Sequence, residues 1–145
     1  MLVELPTEAE AYPFSTKLEV RINDCSGGIH LGNHVMVSYM NEAMIKLYQA
    51  LGFQGPMIGS TSFIQRDMAI TYRSEANYGD VVDIYVAIEA FEESQYTMIY
   101  RLYNPRNERE IAHIRGVFAS FDYKERKKVA VPQELRDAYQ ALCDK

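Results

Sequence analysis

Asp24-Cys25-Ser26-Gly27-Gly28-Ile29-His30-Leu31-Gly32-Asn33-His34 joins a stretch of strand periodicity to a long apolar helical pattern. The segment packs three glycines, two histidines, an acid, a thiol and a hydroxyl into one corner. Glycine lets a backbone turn sharply and approach a ligand closely, while the first turn of a helix presents unpaired N–H groups to partial negative charge. A functional site, if the chain carries one, is expected here.

Upstream of the corner, Thr16, Leu18, Val20 and Ile22 alternate with Lys17, Glu19, Arg21 and Asn23, the period of one half-buried strand running into Asp24. Downstream, Met36, Met40, Ala43, Leu47 and Leu51, flanked by Val37, Tyr39, Met44 and Tyr48, give a helix with a wide apolar surface that ends at Gly52. Asn33 is a suitable side-chain N-cap for it. Glu42 and Lys46 fall on the opposite face at i,i+4 spacing, which makes Glu42 a solvated partner rather than a catalytic acid.

After a loop at residues 54–59 only strand patterns follow. Phe63 to Arg73 reads as one strand, with Ile64, Met68, Ile70 and Tyr72 on one face. Further strands centre on Val82 to Ala90, Tyr96 to Leu102 and Ile111 to Tyr123, separated by turns at Asn77-Tyr78-Gly79-Asp80 and Asn104-Pro105-Arg106-Asn107. Residues 132–143 form a short terminal helix, and residues 1–14 are irregular. A single apolar helix beside five antiparallel strands buries itself on the sheet, giving one α+β domain over residues 1–145.

A chain of 145 residues can bury a sizeable core, roughly 68–70% of its unfolded surface. A net charge of −5 argues against a nucleic-acid partner, because phosphate binding needs a concentrated basic face. The one basic run, Lys124, Arg126, Lys127 and Lys128, reads as a solvated turn. Cys25 and Cys143 fit no metal or disulfide spacing. With no N-terminal targeting signal and no bilayer-length apolar run, the expectation is a soluble cytoplasmic protein with no membrane partner.

Val20-Arg21, Asp24-Cys25-Ser26, Ile29-His30-Leu31-Gly32-Asn33, Glu42-Ala43, Tyr78-Gly79-Asp80, Phe121-Asp122-Tyr123 and Val131-Pro132, taken in this order and spacing, resemble the hot-dog-fold acyl-CoA thioesterases of the 4-hydroxybenzoyl-CoA thioesterase type. The resemblance covers roughly Val20 to Leu135. It implies a long central helix wrapped by a five-stranded antiparallel sheet, and hydrolysis of an acyl-CoA-type thioester to free acid and thiol. It implies no metal and no resident cofactor, coenzyme A arriving as part of the substrate, and self-association as a homodimer or homotetramer with active sites between subunits.

In many relatives the second acid of an Asp-x-Asp pair is the catalytic carboxylate; here that position is Ser26. A hydroxyl needs a base, and His30 is the nearest imidazole, with His34 a second candidate. Asp24 either orients a water or caps its own loop. Ser26 positions water or bonds locally to backbone, and His30 acts as base, polarises the carbonyl, or fixes the corner. Asn33 stands where relatives turn a backbone N–H toward the thioester oxygen, a contact worth roughly 2.7–4 kcal/mol in a transition state.

The expected catalytic set is therefore Asp24, Ser26, His30 and Asn33, with Gly28, Leu31 and Gly32 bringing main chain to the substrate. Asp67, charged inside a strand next to Arg66, is expected to line the pocket across a subunit boundary. Cys25 reads as a small packed side chain, and His113 as a core or interface hydrogen-bonder. Two other functions fit the same corner: an acyl-CoA-binding protein without chemistry, and an enoyl-thioester hydratase or dehydratase.

Overall fold

The apolar pattern after the corner forms α1 (Val35–Ala50), whose Met36, Tyr39, Met40, Ala43, Leu47 and Tyr48 are buried. In the computed structural model, which describes residues 2–145, the chain before α1 forms β1 (Phe14–Glu19), a 3-10 turn (Ile22–Asp24), β2 (Cys25–Ser26) and β3 (His30–Leu31). After it come β4 (Met57–Ile58), β5 (Thr61–Tyr72), β6 (Val81–Phe91), β7 (Gln95–Asn104), β8 (Arg109–Asp122), β9 (Lys127–Lys128) and α2 (Gln133–Cys143).

The five expected strands are the five long ones, paired antiparallel in the order β1-β6-β7-β8-β5; β4 and β9 are two-residue additions at the margins of β5 and β8. One face packs on α1 through Val82, Ile84, Val86, Met98, Leu102 and Ile114. Each such side chain, fully buried, contributes roughly 1.5–3 kcal/mol of transfer free energy. Tyr48 and Tyr96 meet hydroxyl to hydroxyl inside this core, with Phe63 stacked on Tyr48.

Two local expectations are corrected. The first strand ends at Glu19, and Ile22 is exposed rather than facing the core. The Asp24 carboxylate accepts the Arg21 N–H at 3.0 Å while the Asp24 N–H donates to the Arg21 carbonyl at 2.9 Å, and this closes a turn that strand periodicity cannot show. In β5 the pairing with β8 skips Arg66, a bulge that reverses the alternation. Phe63 therefore enters the core and Ile64 faces outward, away from Met68, Ile70 and Tyr72. The irregular lead-in is packed in place: Val3, Leu5 and Tyr12 bury against Ala87 and Ile99 on the sheet face opposite α1.

That second face also holds a polar knot. Arg101 clamps Glu110 at 2.8 and 2.7 Å, His113 meets Glu110 at 2.8 Å, and the Leu5 N–H donates to His113 Nδ1 at 3.1 Å. At the rim, buried Asp80 accepts two hydrogen bonds from Arg106 and one from Asn104, and Arg106 holds its carboxyl at about 2. This tie fixes the 77–80 turn that lies against the corner. Among the described residues no helix is long and apolar enough to cross a membrane.

Candidate active site

The corner is a small three-stranded platform. β2 and β3 pair as Cys25 with Leu31 and Ser26 with His30. Residues 76–78 add to its other edge, where the Leu31 N–H donates to the Ala76 carbonyl and the Tyr78 N–H to the Ile29 carbonyl, both at 2.8 Å. Between β2 and β3, Gly27 and Gly28 take φ of +62° and +136°, backbone regions that favour glycine and that let Ser26 stand directly opposite His30. Directly opposed residues of an antiparallel pair project to the same side.

Asp24 lies beneath this platform, 7% exposed. Its carboxylate accepts the Tyr39 hydroxyl at 2.7 Å and the Arg21 N–H, with the Arg21 guanidinium at 3.6 Å. Burial raises the carboxyl, but these donors outweigh it and hold it below the usual carboxylate range. The same burial, with the anion beside it, pushes the Tyr39 hydroxyl up, so Tyr39 remains the donor. The Asp24 carbonyl in turn accepts the Gly32 N–H at 2.9 Å, which ties the acid to the helix start.

His30 turns toward the 75–78 segment. Its Nδ1 lies 3.0 Å from Asn77 Oδ1 and 3.2 Å from a Glu75 carboxylate oxygen. A carboxylate only accepts, so Nδ1 is the donor in this pair, and in the neutral ring the lone pair lies on Nε2. The arrangement is a carboxylate–imidazole pair with its basic nitrogen free, set across the ladder from Ser26.

The helix start differs from the side-chain capping expected of Asn33. His34 is the residue before α1 and makes no side-chain cap. Instead the Gly32 carbonyl accepts both the Val35 and Met36 N–H groups, at 3.0 and 3.3 Å. Gly32 thus acts as the cap through its main chain, and a capping side chain has no room there. A Cβ on Gly32 would stand 3.0 Å from Ser26 Oγ, 3.1 Å from His34 Cε1 and 3.2 Å from Val35 Cγ2. The N–H groups of Asn33 and His34 have no main-chain acceptor among the described residues, so the first two amides of the turn are open to an acceptor.

Beside this first turn lies a cleft of about 590 Å³, bordered by Arg21, Asn23, Asp24, Val35, Ser38 and Glu42. Glu42 pairs with Lys46 at 3.9 Å. Cys25 packs half-buried, its sulfur 3.6 Å from the Arg21 carbonyl.

The structure therefore brings Ser26, Gly28, His30, Leu31, Gly32 and Asn33 into one corner with Asp24 below. It does not bring Asp67 there within one chain. Asp67 follows the bulge on the sheet face away from α1, opposite Val117, and is exposed. Glu75, Asn77 and Tyr39 escape a reading of the sequence alone because each reaches the corner through tertiary pairing. The one available signal was the 77–80 turn, whose position against the corner no periodicity encodes.

The sequence profile of the thioesterase-like superfamily matches residues 20–139. The chain belongs to this superfamily. The match takes in β2, β3, α1 and all the long strands except β1. No curated protein matches the sequence.

Solved structures share the hot-dog architecture. A thioesterase from Thermus thermophilus, complexed with coenzyme A and zinc, is 23% identical with a TM-score of 0.80, covering 92% of this chain and 96% of its own. A 1,4-dihydroxy-2-naphthoyl-CoA thioesterase from Synechocystis is 16% identical with a TM-score of 0.79, covering 88% and 95%. A Staphylococcus aureus protein in complex with CoA is 12% identical with a TM-score of 0.80, covering 90% and 84%. This thioesterase-like chain is similar to each of them in fold.

Proposed function

We propose that this thioesterase-like protein hydrolyses acyl-CoA-type thioesters, with the thioester carbonyl oxygen seated on the Asn33 and His34 amides. The observation that carries the reading is the open pair of helix-start N–H groups at Asn33 and His34, three and four residues on from His30, whose Nδ1 is held by Asn77 and Glu75. Water adds to the carbonyl carbon as His30 Nε2 takes its proton, and the developing oxyanion is held by the two amides. The tetrahedral intermediate collapses with cleavage of the C–S bond, and the proton on His30 passes to the leaving thiolate. Glu75 stabilises the imidazolium between the two transfers. Ser26 positions the water from across the ladder, and Asp24 holds the loop under the site through the Gly32 amide. Gly28, Leu31 and Gly32 form the main-chain wall.

The acyl group is assigned to the cleft beside α1. Its border sets Arg21, Asn23, Asp24, Ser38 and Glu42 among Leu18, Val35 and Tyr39, a mixed lining that suits short or hydroxylated acyl groups better than a long alkyl chain. The test is thiol release from a panel running from acetyl- through hydroxybenzoyl- to palmitoyl-CoA. Turnover is expected, with kcat/KM for the short and hydroxylated donors at least tenfold above palmitoyl-CoA. Tight binding of every donor by calorimetry with no thiol release would replace the hydrolase by a binding protein, the alternative that Ser26 at the acid position favours.

Self-association along β5 belongs to the same reading. β4 covers only Thr61 and Ser62, so residues 63–72 present an open strand edge, and Ile64 and Met68 on its two faces are 39% and 38% exposed. An uncovered apolar edge of this length pairs readily with a second copy. Such a dimer is also the geometry in which Asp67 would line a pocket across the boundary. Light scattering is expected to give a dimer, or a tetramer built from it, and Ile64→Lys with Met68→Lys is expected to give a folded monomer. A monomeric wild-type protein at micromolar concentration would contradict the pairing.

A further inference from the structure

The Tyr72 hydroxyl, at the end of β5, donates to the Asn33 carbonyl at 3.1 Å. That carbonyl belongs to the same peptide unit as the His34 N–H, and in a planar trans peptide the two groups point in opposite directions. Fixing the oxygen therefore fixes where the N–H aims. Withdrawing charge through the carbonyl also strengthens the N–H as a donor. The Asn33 carbonyl has no main-chain donor among the described residues, so the tyrosine is the group that orients this peptide. Tyr72 is 45% exposed.

We infer that Tyr72 is a positioning residue for the oxyanion-binding His34 amide, acting from the edge strand on a peptide 39 residues away in sequence. The inference rests on the thioesterase reading above, since it assigns the work of that amide. It gives Tyr72 a role apart from packing and makes the end of β5 part of the reaction machinery.

The test is Tyr72→Phe, which keeps the ring and removes the donor. For an acyl-CoA that the wild type hydrolyses, kcat is expected to fall about tenfold with KM unchanged, a fraction of the roughly 10²–10³-fold cost of losing a whole oxyanion donor. The melting temperature is expected to stay within about 2 °C of wild type, because an exposed hydrogen bond contributes little to stability. In parallel, the His34 amide resonance of the free protein is expected to move in ¹H–¹⁵N spectra more than the amides of α1 beyond its second turn. An unchanged kcat, or a raised KM at constant kcat, would overturn the inference while leaving the hydrolase reading intact. If the wild type hydrolyses no thioester, the reading itself falls, and an unmoved His34 resonance in Tyr72→Phe would still refute the orienting contact.

Discussion

Replacing His30 with Ala is expected to lower kcat for acyl-CoA hydrolysis by about 10²–10⁴-fold, the range a positioned general base supplies. The size of the loss follows from the corner's composition. Asp24 is an ion, but the Tyr39 hydroxyl and the Arg21 N–H already bond its carboxylate, and Ser26 has no proton affinity that could replace a carboxylate base. His30 is the one group on the platform with a free basic nitrogen and a carboxylate partner behind it. Glu75→Gln keeps a hydrogen-bond acceptor for Nδ1 but removes the charge, and it is expected to lower kcat by about tenfold at constant KM. Steady-state kinetics of both variants, with circular dichroism to confirm the fold, is the check. Wild-type turnover in His30→Ala would remove His30 from the mechanism.

The second large effect is expected at Gly32. Its φ lies outside the left-handed region, so alanine is not refused by the backbone; the obstacle is space. The added methyl meets Ser26, His34 and Val35 from three sides at 3.0–3.2 Å. Ser26 and the exposed His34 ring can rotate away, but Val35, β-branched and held to one helical rotamer, gives only by moving the helix start that carries the open amides. A misplacement of about 1 Å is enough to cost about 10²-fold in kcat, so a loss of about 10–10²-fold is expected in Gly32→Ala, with a stability loss of about 1–3 kcal/mol from overpacking. Gly55→Ala, where a Cβ meets nothing within 4 Å, is expected to leave both quantities unchanged. A fully active Gly32→Ala would show that the helix start does not hold the carbonyl.

Strand alternation and the apolar helical stripe carry the architecture, because burial against one partner layer imposes those periods on the residues themselves. The helix, the five long strands and the antiparallel succession were legible for that reason. The bulge at Arg66 was not, since one inserted residue changes which side chains face the core without changing composition. The N-terminal arm was missed as well: Val3, Leu5 and Tyr12 have no regular period, and their burial depends on a sheet face formed by residues far along the chain.

At the site, glycines and histidines marked the corner, and the role expected of the Asn33 main chain needed no particular side chain. The carboxylate that the Asp-x-Asp pattern lacks could not be placed from sequence. Glu75 lies across a turn, in a segment that reads as loop, and reaches His30 only because the Ile29–Tyr78 and Leu31–Ala76 hydrogen bonds bring it alongside. Tyr72 likewise sits among strand residues whose alternation says packing, and its hydroxyl contact appears only once β5 and the start of α1 are adjacent.

The proposed mechanism turns on where a thioester carbonyl sits. A crystal structure with a non-hydrolysable acyl-CoA analogue, the thioester sulfur replaced by methylene, measures this. The expected result is a carbonyl oxygen about 2.7–3.1 Å from the Asn33 and His34 nitrogens, with His30 Nε2 facing the carbonyl carbon through one water. A carbonyl bound away from both amides, or an imidazole turned from it with Nε2 occupied by protein, would contradict this mechanism.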